Sequence, residues 1–193
     1  MRLLILALVA AVVSGCATEP YRRADPGVFS GALDVRWVEN DYFLFLPNKD
    51  RPFRFQRKNG EVIAPGPMFT DGGSIPKFLW GVDGFSPWGY APAYIVHDWL
   101  FELHRCNYPT DKVYSFQDSV TLMGEALKTL MESNPGTRDY FVYDAITSAV
   151  GLPIARRIWE EGECHSPPAR LNWLPDKGPP GKHILTIEFG GKP

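Results

Sequence analysis

The chain has no run of basic residues, no glycine-rich phosphate-binding loop, no G-x-S-x-G and no H-E-x-x-H. The first absence removes the electrostatic footprint of nucleic-acid binding, and no RNA-binding aromatic motif replaces it, so no nucleic-acid partner is expected. The others remove a phosphate cradle, the nucleophile elbow of serine hydrolases and the helical zinc-protease signature. Charge is nearly balanced, with 20 Lys and Arg against 22 Asp and Glu. Internal repeats and low-complexity tracts are missing, which excludes solenoid arrays. Cysteine is scarce, at three in 193 residues. Glycine and proline are plentiful, 18 of each, and imply many turns and long ordered loops.

What is present begins at the N-terminus. Arg2 precedes an uninterrupted apolar run over residues 3–13. That run fits the core of a secretory signal and is too short for a spanning helix, which needs about 20 apolar residues. It ends in Val13-Ser14-Gly15-Cys16, which resembles the bacterial lipobox. The resemblance implies cleavage before Cys16 and lipidation of its thiol, and Ala17 rather than Asp after it implies sorting to the outer membrane. Two or three acyl chains anchor stably where one does not. The expected map is therefore a signal peptide at 1–15, a tether at 16–32 and a single domain at 33–193. The cleaved chain of 178 residues carries 19 basic and 22 acidic side chains and is long enough for one real core.

Residues 33–70 have β texture. Short aromatic and branched stretches at 35–37, 42–46, 53–57 and 62–64 are separated by turn clusters, and Asn59-Gly60 predicts a hairpin between the last two. From Pro92 the period becomes helical. Ile95, Val96, Trp99, Leu100 and Leu103 form one stripe; Val113, Phe116, Val120, Met123, Leu127 and Leu130 form a second, capped by Thr110 or Asp111. A third helix is expected from Thr137 to about Val150, with a kink or break at Pro153 if it continues to Trp159. Residues 184–189 alternate as a strand that returns to an edge of the sheet. The class is α+β: a small antiparallel sheet, an N-terminal meander plus a C-terminal strand, packed with about three helices.

Cys106 and Cys164 remain beyond the anchor. In an oxidising compartment such a pair forms a disulfide, and closing nearly sixty residues contributes about 4 kcal/mol in the chain-entropy model. A metal site with His104 and His165 is a competing reading of the same residues, although neither pair has the usual zinc spacing. Two buried thiols are a third.

Two segments carry candidate chemistry: Thr70-Asp71-Gly72-Gly73-Ser74-Ile75-Pro76 and the doublet His97-Asp98. Ser74 can cap a short turn after Ile75-Pro76, which needs no further role. His97 and Asp98 interrupt a helix that is apolar nearly all round, and a buried carboxylate requires a cation, a metal or several donors. Adjacent helical residues point about 100° apart, so chelation of one ion by the doublet needs a second element, such as the Asp71 loop. Asp71, His97 and Asp98 thus mark either a divalent-metal or acid–base site, or a polar network tying the 70–74 loop to the helix. The aromatic group Trp80, Phe85, Trp88 and Tyr90 reads as core or as a glycan-binding groove.

The order T-D-x-x-S-I-P, Trp80, H-D-x-L and then Asp118 resembles the family catalogued as domain of unknown function 1353, found in phages and bacteria. The similarity covers roughly residues 69–159. It implies that Thr70, Asp71, Ser74, His97, Asp98 and Asp118 are the positions to inspect, and names no reaction. At 100° per residue, Asp118 lies almost opposite the apolar stripe of its helix. The expectation is an envelope lipoprotein whose partners are the membrane and an envelope glycan or protein, with a metal-dependent hydrolase of an envelope polymer as the rival.

Overall fold

Aromatic and branched residues crowd the N-terminal half, and there the chain pairs with itself. The structure, a computed structural model, describes residues 19–39, 42–70, 89–164 and 178–190. The order is α1 (19–23), β1 (Val28–Glu39), β2 (Tyr42–Pro47), β3 (Arg54–Gln56), β4 (Val62–Ile63), β5 (Met68–Thr70), α2 (Ala91–Arg105), α3 (Phe116–Ser133), α4 (Tyr140–Val150), α5 (Pro153–Glu161) and β6 (Lys182–Phe189). The class is α+β, a six-stranded antiparallel curled sheet with five helices.

β1 is the spine of the sheet. β2 pairs with it from Leu33↔Pro47 to Glu39↔Tyr42, and β6 occupies its other edge from Gly31↔Phe189 to Trp37↔Lys182. β3 pairs with its start at Val28–Ser30, β4 extends β3, and β5 extends β2. The meander and the returning strand are therefore one sheet. Phe29, Leu33 and Val35 take alternate positions and are buried, with Gly31 between them at φ +82°. A Cβ at Gly31 would lie 2.1 Å from the Pro52 carbonyl oxygen, so only glycine lets that backbone cross so closely. Phe29, Phe53, Phe55 and Phe189 stack into one end of the core, with centroids 4.7 to 5.7 Å apart.

Residues 19–32, expected as part of a tether, belong to the folded domain. Residues 28–32 already belong to β1, and Tyr21 of α1 is buried. The Lys128 ammonium donates to the Ala24 carbonyl at 2.9 Å, and the Gly27 amide donates to the Thr129 hydroxyl at 2.8 Å. Pro20, Pro26 and Gly27 read as breakers in the sequence, but packing on α3 fixes the segment instead. The Asn59-Gly60 hairpin joins β3 to β4, with three loop residues rather than two. Arg57 donates its amide to Glu61, Gly60 donates to Arg57, and Gly60 sits at φ +87°.

Each helix after the sheet starts on a local signal. α2 opens with Pro in its first turn. α3 begins at Phe116, later than Thr110 or Asp111 would place it, because Ser115 and Asp118 form a reciprocal capping box. Thr110 donates instead to the Lys112 carbonyl, and Val113, expected in the stripe, is 91% exposed. Asp139 caps α4 by accepting from the amides of Phe141 and Val142. The third expected helix is thus two: the chain breaks at Gly151-Leu152 and restarts with Pro153 in the first turn of α5. Among the described residues no helix is long and apolar enough to cross a membrane.

Candidate functional site at the α2–α3 seam

Helical periodicity decides where the doublet points. His97 follows Tyr94, Ile95 and Val96 into the core and is 1% exposed. Its Nδ1 lies 3.0 Å from the Ser119 carbonyl oxygen on α3. A carbonyl only accepts, so Nδ1 carries the proton and Nε2 keeps the lone pair. Burial pulls the imidazole down to about 4; the Ser119 carbonyl opposes that shift, and the Arg105 charge adds to it. His97 is therefore neutral at physiological pH.

Asp98, one residue on, turns away from that seam and is half-buried. Its charge acts on Tyr94 and Arg105. With Glu102 and Arg105 it makes an i, i+4, i+7 stripe along α2. A cation that feels the Asp98 charge is thus on its own helix. Burial lowers the Arg105 pKa, while Glu102 and Asp98 raise it. The Arg105 guanidinium lies 4.0 Å from Glu102 and 5.0 Å over the Phe101 ring. Tyr94, 3% exposed, has its hydroxyl pKa raised by burial and then by Asp98.

Asp118 does not join the doublet. Its carboxylate accepts from the Ser115 amide at 2.8 Å and the Ser115 hydroxyl at 2.6 Å, with Lys112 at 3.8 Å. Those Ser115 hydrogen bonds hold its carboxyl below the ordinary range. It is a helix cap, and its neighbour Ser119 is what reaches His97. Asp71, Ser74, the side chain of Thr70, and the aromatics Trp80, Phe85 and Trp88 lie outside the described residues, as do Cys16 and His165. Tyr90, the described member of the aromatic group, is buried in the core. Described nearby is the approach to the loop: Thr70 ends β5, and Trp99 packs so closely on Gly66 that a Cβ there would be 2.6 Å from its ring.

Cys106, the C-cap of α2, is bonded to Cys164, three residues beyond α5, with Cα atoms 4.8 Å apart. Among the described residues, three metal-donor side chains meet at Glu102, Cys106 and Cys164. Bonded sulfurs are not thiolate ligands, so the grouping is a bridge beside a carboxylate. His104 stacks on Trp159 at 4.3 Å instead of joining a metal site.

Residues 49–136 match the family model described as Protein of unknown function (DUF1353). They are a DUF1353 domain. The matched span starts earlier and stops sooner than the resemblance over 69–159 suggested. It holds β3, β4, β5, α2 and α3, and with them Asp71, His97, Asp98 and Asp118. The DUF1353 domain does not contain β1, on which its strands hang, nor α4 and α5. Comparison with curated proteins and with solved structures found no match.

Sequence reasoning missed Ser119, Arg105 and Glu102. The i, i+4, i+7 spacing from Asp98 was available as a signal; the Ser119 carbonyl was not, because any residue supplies one. A test of the His97 geometry follows from its titration. Between pH 6.5 and about 4 the unfolded chain takes up a proton there that the folded chain refuses. Stability should therefore be complete above pH 6.5 and fall by about 3 kcal/mol as pH drops through that window. His97→Asn keeps a donor for Ser119 without titrating, so urea unfolding of that variant should lack this histidine's share of the loss and keep the smaller share of carboxyls such as Glu61 and Asp118 toward pH 4.

Proposed function

We propose that this protein is an envelope lipoprotein, held by acyl chains on Cys16 at the periplasmic face of the outer membrane, where its α+β domain does binding or structural work. The order Arg2, apolar residues 3–13, Val13-Ser14-Gly15-Cys16 and Ala17 carries the reading. A Cys106–Cys164 bridge suits the oxidising compartment to which such a signal leads. His97 and Asp98 are engaged by Ser119 and by charged neighbours on α2, which is what a structural polar network requires. In cell fractionation the wild-type chain should sediment with membranes, and Cys16→Ser should move to the soluble fraction. Equal membrane retention of the variant would count against the anchor.

One observation favours a second reading, a metal-dependent hydrolase of an envelope polymer using Asp71, His97 and Asp98. A histidine that donates Nδ1–H to a backbone carbonyl is oriented as metal-binding histidines usually are, with Nε2 as the donor atom. Metal analysis decides between the two. Bound metal that is lost in Asp98→Asn without loss of folding supports the hydrolase. A metal-free protein whose melting temperature ignores added divalent ions removes it.

A further inference from the structure

We propose that α1 and the first turn of α4 form a membrane-seating face, laid against the lipid–water interface of the bilayer that holds Cys16; the inference rests on the lipoprotein reading above. Glu19, where α1 begins, is three residues beyond Cys16, a reach of at most about 11 Å. From there the chain is fixed to the domain. Tyr21 packs edge-on against Tyr140 and Tyr143 at 5.0 and 5.1 Å, and the Lys128 ammonium sits 4.9 Å over its ring. An anchor this short on a docked segment brings the surface beside α1 to the headgroup layer.

That surface has the chemistry of the interface. Phe141 is 70% exposed and Tyr140 37%; Arg138, just before them, and Arg22 and Arg23 of α1 are exposed too, Arg23 paired with Glu19 at 2.8 Å. An amphipathic Tyr ring settles at headgroup level, an apolar Phe ring just beneath it, and guanidinium groups reach phosphates while their stems stay in apolar surroundings. The arrangement also sets the orientation of the domain. α3 has 18 residues and is about 27 Å long. α1 and the residues just after it dock at Lys128 and Thr129, toward the C-terminal end of α3, whereas Ser119, which His97 of α2 reaches, sits near the N-terminal end of α3. The His97–Ser119 contact therefore sits at the end of α3 away from the bilayer.

With Cys16 acylated and Cys106 bonded to Cys164, an introduced cysteine is the sole reactive thiol. Full-length lipidated Phe141→Cys and, as a control at the other end of α3, Val113→Cys are labelled with a polarity-sensitive fluorophore. Each is reconstituted into phosphatidylcholine–phosphatidylglycerol vesicles whose acyl chains are brominated near the headgroup. The label at 141 should blue-shift and be quenched, and the label at 113 should do neither. Equal, weak quenching at both positions in protein that floats with the vesicles overturns the seating face and leaves the anchor standing. Protein that stays out of the vesicle fraction overturns both. Both sites are exposed, so unchanged melting temperatures verify folding.

Discussion

Arg57→Met is expected to lose about 3 to 5 kcal/mol of folding stability, read as a lower urea midpoint at unchanged slope. The Arg57 guanidinium donates Nε and Nη2 to the two oxygens of Glu125, at 2.6 and 2.7 Å, and Nη1 to Glu61 at 2.8 Å. The Arg57 and Glu125 side chains are each only 11% exposed. The hydrogen bond to Glu125 is the main reason the Arg57 pKa rises, against the cost of burial. This fork clamps the β3–β4 hairpin to α3. Removing the cation leaves the Glu125 carboxylate desolvated and unpaired, which costs more than the pair contributes. Glu61 is less exposed to the damage. Burial would raise its pKa, but hydrogen bonds from Lys112, Tyr114 and Arg57 lower it, and the first two survive. Arg57→Met combined with Glu125→Met should recover most of the loss; a double variant as unstable as the single one would show that the ion pair is not the cause.

Converting Cys106 and Cys164 together to alanine should remove about 4 kcal/mol, since the bridge closes a separation of 58 residues. The damage should be felt first in α5. That helix buries Trp159 against Phe101, Phe116 and His104, while Leu152, Ile154 and Ile158 beside it are 46 to 60% exposed. One aromatic side chain is a small core for nine residues. Amide exchange in α5 should accelerate more than exchange in α3 when the bridge is absent. Uniform acceleration would mean that the bridge acts only on the unfolded chain.

The elements most legible in the sequence were those whose signals are local. The Asn59-Gly60 turn, the proline at the start of α2 and the break at Pro153 each follow from backbone restrictions that no distant contact overrides. The start of α3 was misplaced because Thr110 and Asp111 also read as caps, and only the reciprocal Ser115–Asp118 pair distinguishes the true one. The segment at 19–32 was misread for the opposite reason. Its prolines and glycines disfavour regular structure locally, but Tyr21 and Phe29 gain burial that exceeds that cost, and such contacts with α3 and β3 are invisible in linear order. At the site, the burial of His97 was readable from its apolar neighbours. Its partner was not, because a backbone carbonyl leaves no mark in the sequence. Asp118 stood out as a carboxylate in a family pattern, and its role is that of a cap.

In the reading proposed above, the lipid on Cys16 places the domain and leads it to surroundings that suit the Cys106–Cys164 bridge. Intact mass measurement of the protein extracted from membranes tests it most directly. The expected species is a chain of 178 residues beginning at Cys16, heavier than its sequence by a diacylglyceryl group, with or without a further acyl chain. A chain that retains Met1, or that begins elsewhere with Cys16 unmodified, would contradict it.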